Sequence, residues 1–260
     1  MKKAMYRLAL IAVVASLFVV NVGFASETDD RIESSAKESY VFKTYLKDSD
    51  IKLKSKDGVV TLDGTVSEEA HKQLAQETVA SLPGVKSVNN KLELKGEAPA
   101  QYSDAWLMTK VKTSLLFHRS VSGFATGVDV KEGVVTLRGD ADSQAQMDLA
   151  TEYAKDIEGV KEVKNEMTVA QPPREQVEKT TGKKLDDASE WVDDASITAL
   201  VKTSLMYHRS TSGLNTKVET NDGVVTLSGK AKNEAEKDLA AKLVSDVHGV
   251  KRVVNNMTVE

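Results

Sequence analysis

The four histidines have the broadest chemical repertoire in this sequence, since imidazole can bind metals and titrates near neutral pH. His71 and His248 stand alone among charged residues. His118 and His208 each follow a leucine of an apolar helical pattern by three residues, so each falls on the apolar side of its helix. This position favours a histidine that completes the core and bonds to a carbonyl; a pH-sensitive group is the alternative. No spacing brings together the ligands that zinc requires, so we expect no metal.

The remaining reactive groups do not form a catalytic pattern. Acidic residues are scattered over helix faces and turns, and the glycines do not open a helix as they would in a phosphate loop. The absence of cysteine excludes disulfides and thiol catalysis. Asn90, Asn165 and Asn255 point inward on a strand, where a buried amide must be hydrogen-bonded, and we expect a structural bond to an adjacent loop. The sequence therefore predicts a protein that is not an enzyme and uses no cofactor.

One helix carries a surface pattern, which we call the aromatic stripe. Trp106, Lys110, Thr113 and Phe117 recur at helical spacing beside the apolar face. An aromatic residue at each end with a lysine between them is typical of a bilayer interface, and Lys112 adds a second cation. The candidate lipid-binding residues are therefore Trp106, Lys110, Lys112 and Phe117. Docking against a neighbouring domain is the alternative, because it would bury the same stripe.

These residues lie in a segment that the chain uses three times. The sequence Gly-Val-Val-Thr-Leu begins at Gly58, Gly133 and Gly223. A second signature, Gly-Val-Lys, follows each copy 26 residues later, at Gly84, Gly159 and Gly249. Three equal intervals without a gap indicate one folding unit in three copies.

Each copy contains a complete set of signals for helices and strands. Two alternating β-branched segments flank a turn that ends in glycine, which predicts a hairpin. A helix follows, opened by apparent capping boxes at Ser143 and Asn233, and Gly-Val-Lys ends it before a third strand. Another helix precedes the hairpin. The predicted fold class is α+β: three tandem α-β-β-α-β units, each with two helices on one face of a three-stranded mixed sheet.

The three copies define the domain organisation. The second and third match at a constant offset of 90, including His-Arg-Ser at 118–120 and 208–210. The first lacks that stretch, and equating Val41–Leu46 with the second copy's first helix makes it about five residues shorter there. We predict a signal peptide at 1–25, domains at 26–98, 103–169 and 193–260, a linker at 99–102, and a charged linker at 170–192 that contains Pro172-Pro173. Trp191, at the end of the longer linker, is interpreted as a docking residue.

The amino terminus has the pattern of a secretory signal. A basic start precedes an apolar run from Leu8 to Val20, which is short for a membrane span of ~20 apolar residues, and small residues end at Ala25. We expect cleavage after Ala25 and export to the periplasm. The mature chain then holds 32 basic against 39 acidic side chains, a net charge of −7. This charge argues against nucleic acid as a partner.

The two signatures at fixed spacing resemble the BON (bacterial OsmY and nodulation) domain. All three copies carry them, and tandem copies behind a signal peptide are similar to the osmotically inducible periplasmic protein Y group of that family. The resemblance implies a non-enzymatic protein of envelope maintenance or stress response that binds phospholipid membrane surfaces. The alternative is a chaperone-like module that binds unfolded outer-membrane or secreted proteins. The lipid, the envelope partner and the oligomeric state stay open at this point.

The completeness of each copy generates a first prediction. A fragment that spans residues 193–260 should fold alone, because it contains every helix, turn and strand signal of the unit. Its thermal unfolding, followed by circular dichroism, should be cooperative. A gradual loss of signal would show that the repeats depend on one another for folding.

Overall fold

A computed structural model describes residues 20–121, 126–169, 192–211 and 215–260, with side chains from residue 27 onward. Within these ranges each repeat has helices packed on a mixed sheet, three in repeat one and two in each of the other repeats, which confirms the predicted α+β class. The helices are α1 Val20–Glu38, α2 Tyr40–Thr44, α3 Glu69–Ala80, α4 Asp104–Phe117, α5 Gln144–Lys155, α6 Asp194–Tyr207 and α7 Glu234–Ser245. The strands are β1 Asp50–Lys56, β2 Val59–Val66, β3 Ser87–Leu94, β4 Gly127–Lys131, β5 Val134–Arg138, β6 Asp140–Ala141, β7 Glu162–Asn165, β8 Thr168–Val169, β9 Asn215–Asn221, β10 Val224–Ala231, β11 Arg252–Asn255 and β12 Thr258–Val259.

The second strand of the hairpin is the centre of each sheet. It pairs antiparallel with the first strand and parallel with the third, as in β1-β2-β3, β4-β5-β7 and β9-β10-β11. The short strands β6 and β8 pair in parallel, and the end of β10 pairs in parallel with the short strand β12. The inward residues of the central strands, such as Val60 and Leu62, are fully buried. The predicted glycine turn is present: Asp57 and Gly58 have φ of 54° and 79°.

An aspartate in the first helix of every repeat holds the hairpin turn. In the second repeat, Asp104 accepts hydrogen bonds from the backbone N–H groups of Glu132 and Gly133, at 2.8 and 2.9 Å. These bonds hold the pKa of Asp104 below its usual value. Asp29 and Asp194 accept the same pair of bonds in their own repeats. The contact satisfies turn N–H groups that the hairpin leaves unpaired and fixes the helix over the sheet.

The inward asparagines join the third strand to the second helix. The Asn165 amide donates to the Met147 carbonyl and to the Thr151 hydroxyl, both at 2.8 Å, while its oxygen accepts from the Met167 N–H at 3.0 Å. Asn90 and Asn255 bond to the equivalent helix carbonyl and strand N–H. The predicted structural role is therefore confirmed. The partner is the facing helix and the asparagine's own strand, whereas we expected a loop.

The first helix of repeat one departs from the predicted register. The helix that covers the sheet is α1, and Asp29 aligns with Asp104 at the offset of 75 that also relates the hairpins, so no five residues are missing. The helix breaks at Ser39, which caps α2. The N–H groups of Tyr40 and Val41 then donate to the side chains of Asp193 and Ser196 in repeat three, at 2.8 and 3.0 Å. The break thus serves contact between repeats.

Helix α6 of the third repeat is the element that the three repeats share. It packs on its own sheet, against α3 of repeat one and against α4 of repeat two. Its side chains are buried on several faces for this reason, including Ser196, Leu200 and Thr203. A partly buried ion pair of 2.8 Å between Lys202 and Glu77 lies on the side toward repeat one. The repeats therefore form contiguous hydrophobic cores.

Phe117, at the end of α4, allows a test of this packing. Its ring is 1% exposed and packs edge-on against Tyr45 of repeat one, with 5.6 Å between ring centroids. Phe117→Ala should lower the free energy of unfolding by about 3 kcal/mol, because it leaves a cavity between repeats. Chemical denaturation measures this loss. Lys112→Ala, at an exposed position of the same helix, should change stability by less than about 0.5 kcal/mol, and equal effects would contradict the docking role.

Candidate functional site

The carboxyl-terminal half of the aromatic stripe lies between repeats. Phe117 is buried against Tyr45, and the Thr113 hydroxyl donates to a Glu68 carboxylate oxygen of repeat one at 3.2 Å. Phe117 and Thr113 therefore contact a neighbouring repeat, as the docking alternative predicts. Phe117 offers no surface to a membrane in this arrangement, which corrects our expectation that it lies outside the core.

Lys110 marks the boundary between the buried and exposed halves of the stripe. Its ammonium lies 3.5 Å from the ring centroid of Tyr207 in repeat three and 5.3 Å from that of Trp106. Such cation–π contacts stabilise a partly desolvated lysine. Burial lowers the pKa of Lys110 to about 8, although Glu69 and Glu68 oppose this shift. Lys110 is therefore still mostly charged at neutral pH.

The amino-terminal end of α4 stays at the surface. Trp106 is half-buried and packs against Tyr102, with 5.3 Å between ring centroids. Tyr102 is 45% exposed, has a φ of 63°, and donates its hydroxyl to Glu158 at 2.9 Å. Lys112 is exposed on the same helix. Lipid contact by Trp106, Lys110 and Lys112 stays a prediction. Tyr102, which the sequence analysis did not single out, adds an exposed aromatic ring beside Trp106.

The two helix-end histidines meet at the contact between repeats two and three. His118 and His208 are both completely buried, and their Nε2 atoms are 3.1 Å apart. The Ser114 hydroxyl lies 3.1 Å from Nε2 of His208, and the Ser204 hydroxyl lies 3.2 Å from Nε2 of His118. We expected each histidine to complete the core and to bond to a carbonyl. The structure instead joins the two histidines to each other across an interface.

Reciprocal contacts surround this pair, and we call them the clasp. The His-Arg-Ser stretch of repeat two docks on Asp246 of repeat three, and the same stretch of repeat three docks on Asp156 of repeat two. Asp246 accepts from the Ser120 hydroxyl and N–H, and Asp156 accepts from the Ser210 hydroxyl and N–H. Backbone bonds of 2.8 to 2.9 Å run from Arg119 to Asp246 and from Arg209 to Asp156. Residues 90 positions apart therefore make equivalent contacts across the interface.

One substitution between the copies makes the clasp asymmetric. Asp156 lies 3.1 Å from Nδ1 of His208, whereas Asp246 lies 3.8 Å from Nδ1 of His118. Tyr153 stacks on His118 at 4.1 Å between centroids and donates its hydroxyl to Asp246 at 2.7 Å. The equivalent residue of repeat three is a leucine, which has no hydroxyl group to donate. An oxygen of Asp156 therefore remains available to His208. The bond from Tyr153 thus keeps the Asp246 carboxylate farther from His118 than Asp156 is from His208.

The repeat geometry agrees with a family comparison. A model of the BON domain matches residues 28–96, 103–171 and 193–260, which is more than half of the chain. The chain belongs to the BON domain family. The resemblance drawn from the two glycine signatures is confirmed.

Several relatives align over about half of this chain. It is 34% identical over 143 residues to osmotically-inducible protein Y of Escherichia coli strain K12, which covers 54% of this chain and 71% of that protein. It is 31% identical over 144 residues to the outer membrane lipoprotein DolP of Haemophilus influenzae, covering 52% and 74%. An uncharacterised protein of Anaplasma centrale, in a gshII 5′ region, is 30% identical over 152 residues, covering 58% and 91%.

The hydrogen-bond network assigns the protons of the histidine pair. When both imidazoles are neutral, donation from Nδ1 of His208 to Asp156 makes Nε2 of His208 the acceptor of the proton on Nε2 of His118. Nδ1 of His118 then has no hydrogen-bond partner among the described residues. Burial lowers the pKa of His118 to about 3, with the neighbouring imidazoles His208 and His248 adding to the effect. Burial alone would raise the pKa of Asp156, but the bonds from His208 and Ser210 outweigh it and keep it low.

Two further properties bear on binding. In the described ranges, no three histidine, aspartate or glutamate side chains converge as a metal site would require. None of the helices in the same part of the chain is long and apolar enough to cross a bilayer. The predicted signal peptide lies outside the described residues except for Val20–Ala25, which begin α1. Trp191 also lies outside them.

The clasp predicts a distinct cost for removing its carboxylate. Asp246→Ala should lower the free energy of unfolding by about 2–3 kcal/mol, because the buried Tyr153 hydroxyl and Ser120 lose a charged acceptor. Thermal or urea unfolding of the full chain measures this. Asp238→Ala, an exposed aspartate of α7, is the matched control and should be nearly neutral. Equal stability of the two variants would show that the clasp contributes nothing.

Proposed function

We propose that this BON protein is a non-catalytic protein of the periplasm that maintains the envelope by binding phospholipid surfaces. The relatives support a place in the envelope, since one is named for osmotic induction and another as an outer-membrane lipoprotein. The observation that carries the proposal is the aromatic pair at the start of α4, in which the exposed Tyr102 precedes the helix and the half-buried Trp106 lies in its first turn. Three tandem BON units and the absence of a catalytic residue pattern in the sequence support binding as the mode of action.

The aromatic pair has the chemistry of an interfacial anchor. Tyrosine and tryptophan combine an apolar ring with a polar group and concentrate at the level of lipid headgroups. Here the two rings support each other, and the bond from Tyr102 to Glu158 holds them against repeat two. Lys110 and Lys112 extend from the same helix. The aromatic pair therefore provides the apolar part of the proposed anchor, and the two lysines provide cations on the same helix.

The expected affinity is low. The mature net charge of −7 opposes long-range attraction to anionic lipid, so binding must be local. Two aromatic rings that enter the interface contribute roughly 2–4 kcal/mol at ~25 cal/mol per Å². Each nearby lysine adds about 1 kcal/mol at an anionic surface. A single helix of this kind binds weakly and reversibly, and several molecules on one membrane bind more strongly.

The chaperone-like alternative has less support. A protein that binds unfolded chains needs broad apolar exposure, because its clients present many hydrophobic segments. In the described part of the chain, the exposed large hydrophobic residues are dispersed: Val59, Tyr102, Val169, Met206 and Val259. These positions belong to different repeats. The surface therefore favours a localised anchor.

The test uses tryptophan emission. The chain has two tryptophans, so Trp191→Phe leaves Trp106 as the sole reporter. Vesicles of phosphatidylglycerol and phosphatidylethanolamine should shift its emission to shorter wavelength, because the ring leaves water. In flotation assays, Tyr102→Ala with Trp106→Ala should reduce binding by about tenfold or more.

Matched variants make the outcome decisive. Met206→Ala removes an exposed hydrophobic residue of repeat three and should leave vesicle binding unchanged. Lys112→Gln should weaken binding, while Lys54→Gln, exposed on β1, should not. Binding that survives the aromatic double variant would refute this surface. Strong binding to an unfolded outer-membrane protein, without vesicle binding, would favour the chaperone-like function.

A further inference from the structure

The histidine pair imposes a limit on the number of protons that the closed clasp can hold. The two Nε2 atoms are 3.1 Å apart, so one proton lies between them as an N–H···N bond. If both nitrogens carried protons, two N–H groups of like charge would point at each other at this distance. The closed interface therefore excludes the state in which both His118 and His208 are fully protonated.

The surroundings offer little compensation for a second charge. The groups that face the pair are Ser114 of α4, Ser204 of α6, Tyr153 of α5, the aspartates 156 and 246 that end α5 and α7, and Arg119, Arg209 and His248. Each aspartate already accepts from a serine and lies within 4 Å of an arginine. Tyr153 occupies the second oxygen of Asp246. Two imidazoles are also too few ligands for zinc, so a proton is the cation that this site can exchange.

We infer that the clasp is an acid-sensitive latch that separates repeats two and three when both histidines become protonated. Separation places each imidazolium in water. It also breaks the backbone bridges that join His118 to Val247 and His208 to Ile157, and both of these apolar residues are buried in the closed protein. The inference does not depend on lipid binding.

The sign of the pH dependence follows from proton counts. A separated histidine has an ordinary pKa of about 6.5, whereas the closed pair holds at least one proton fewer than two imidazolium groups. The closed state therefore binds fewer protons at acid pH, and its population falls as pH falls below 6.5. The ratio of closed to open changes by at least about tenfold per pH unit well below that value. Burial, which lowers the pKa of His118 to about 3, acts in the same direction.

The chain contains no cysteine, so two introduced cysteines can carry spin labels without competition. Glu162→Cys and Arg252→Cys are exposed, equivalent positions on the sheets of repeats two and three. Pulsed electron paramagnetic resonance on the full chain should show one distance at pH 7.5. Between pH 6.5 and 4.5 a longer, broader distribution should replace it, while far-UV circular dichroism keeps the folded signal.

A variant with non-titrating amides tests the cause. His118→Gln with His208→Gln keeps an amide–amide hydrogen bond within reach and should stay closed at pH 4.5. His71→Gln changes a histidine of repeat one and should open like the parent chain. The inference is overturned if the double variant opens or unfolds at the same pH as the parent. It is also overturned if the parent distance stays constant to pH 4.5.

A second measurement covers the case in which the double variant fails to fold. Nuclear magnetic resonance of the parent chain without spin labels follows the imidazole signals and reports the protonation of each histidine. Uptake of protons by His118 and His208 should coincide with the change in distance. Full protonation of both histidines in a chain that stays closed would contradict the single-proton limit.

Discussion

The burial of two histidines at one point between repeats two and three is the interaction on which the arrangement of this protein depends. A buried imidazole needs partners for its polar atoms, and neither repeat supplies enough of them alone. The aspartate that follows the second helix of each repeat, Asp156 or Asp246, contacts the His-Arg-Ser stretch of the other repeat. This exchange aligns α4 with α6, and that alignment places Phe117 and Tyr207 between the repeats. The histidine pair therefore determines which face of α4 remains exposed.

Repeat one docks on α6 of the third repeat through a different set of contacts. It has no His-Arg-Ser stretch, and its first helix breaks at Ser39. The freed N–H groups of Tyr40 and Val41 bond to the start of α6, and Glu77 pairs with Lys202 farther along that helix. A single helix thus receives two neighbours through unrelated contacts. The three units share a fold, whereas the differences between them determine the assembly.

The parts of this structure that depend on local chemistry could be predicted from the sequence. The turn glycines, the caps at Ser143 and Asn233, and the left-handed Gly159 all act within a few residues of themselves. The inward asparagines were recognisable because alternation sets their direction, although their partner helix was not. The turn-holding aspartates were missed, yet a signal existed: each precedes the turn glycine by 29 residues in every copy. The register of repeat one's first helix was wrong because local apolar spacing was followed instead of the constant offset between copies.

The histidine pair lay beyond sequence reasoning for a different reason. The offset of 90 showed that His118 and His208 are equivalent, but equivalence does not imply contact. The two histidines come into contact only because the repeats dock about a local twofold axis. The spacing of residues along the chain does not reveal how the repeats dock. The burial of Phe117 follows from the same docking. The exposed end of the aromatic stripe was visible in the sequence because Trp106 needs no partner repeat to be recognised.

The near-twofold exchange of contacts in the clasp is the arrangement that two identical subunits adopt in a symmetric dimer, where residue i of each contacts residue j of the other. Here both halves belong to one polypeptide. Their association is unimolecular, because the covalent connection keeps each half at a high effective concentration relative to the other. Dilution that would dissociate a dimer leaves this contact unaffected. Covalent linkage also allows the two halves to differ in sequence, which the identical subunits of a homodimer cannot do. Tyr153 in repeat two and a leucine at the equivalent position of repeat three are one such difference.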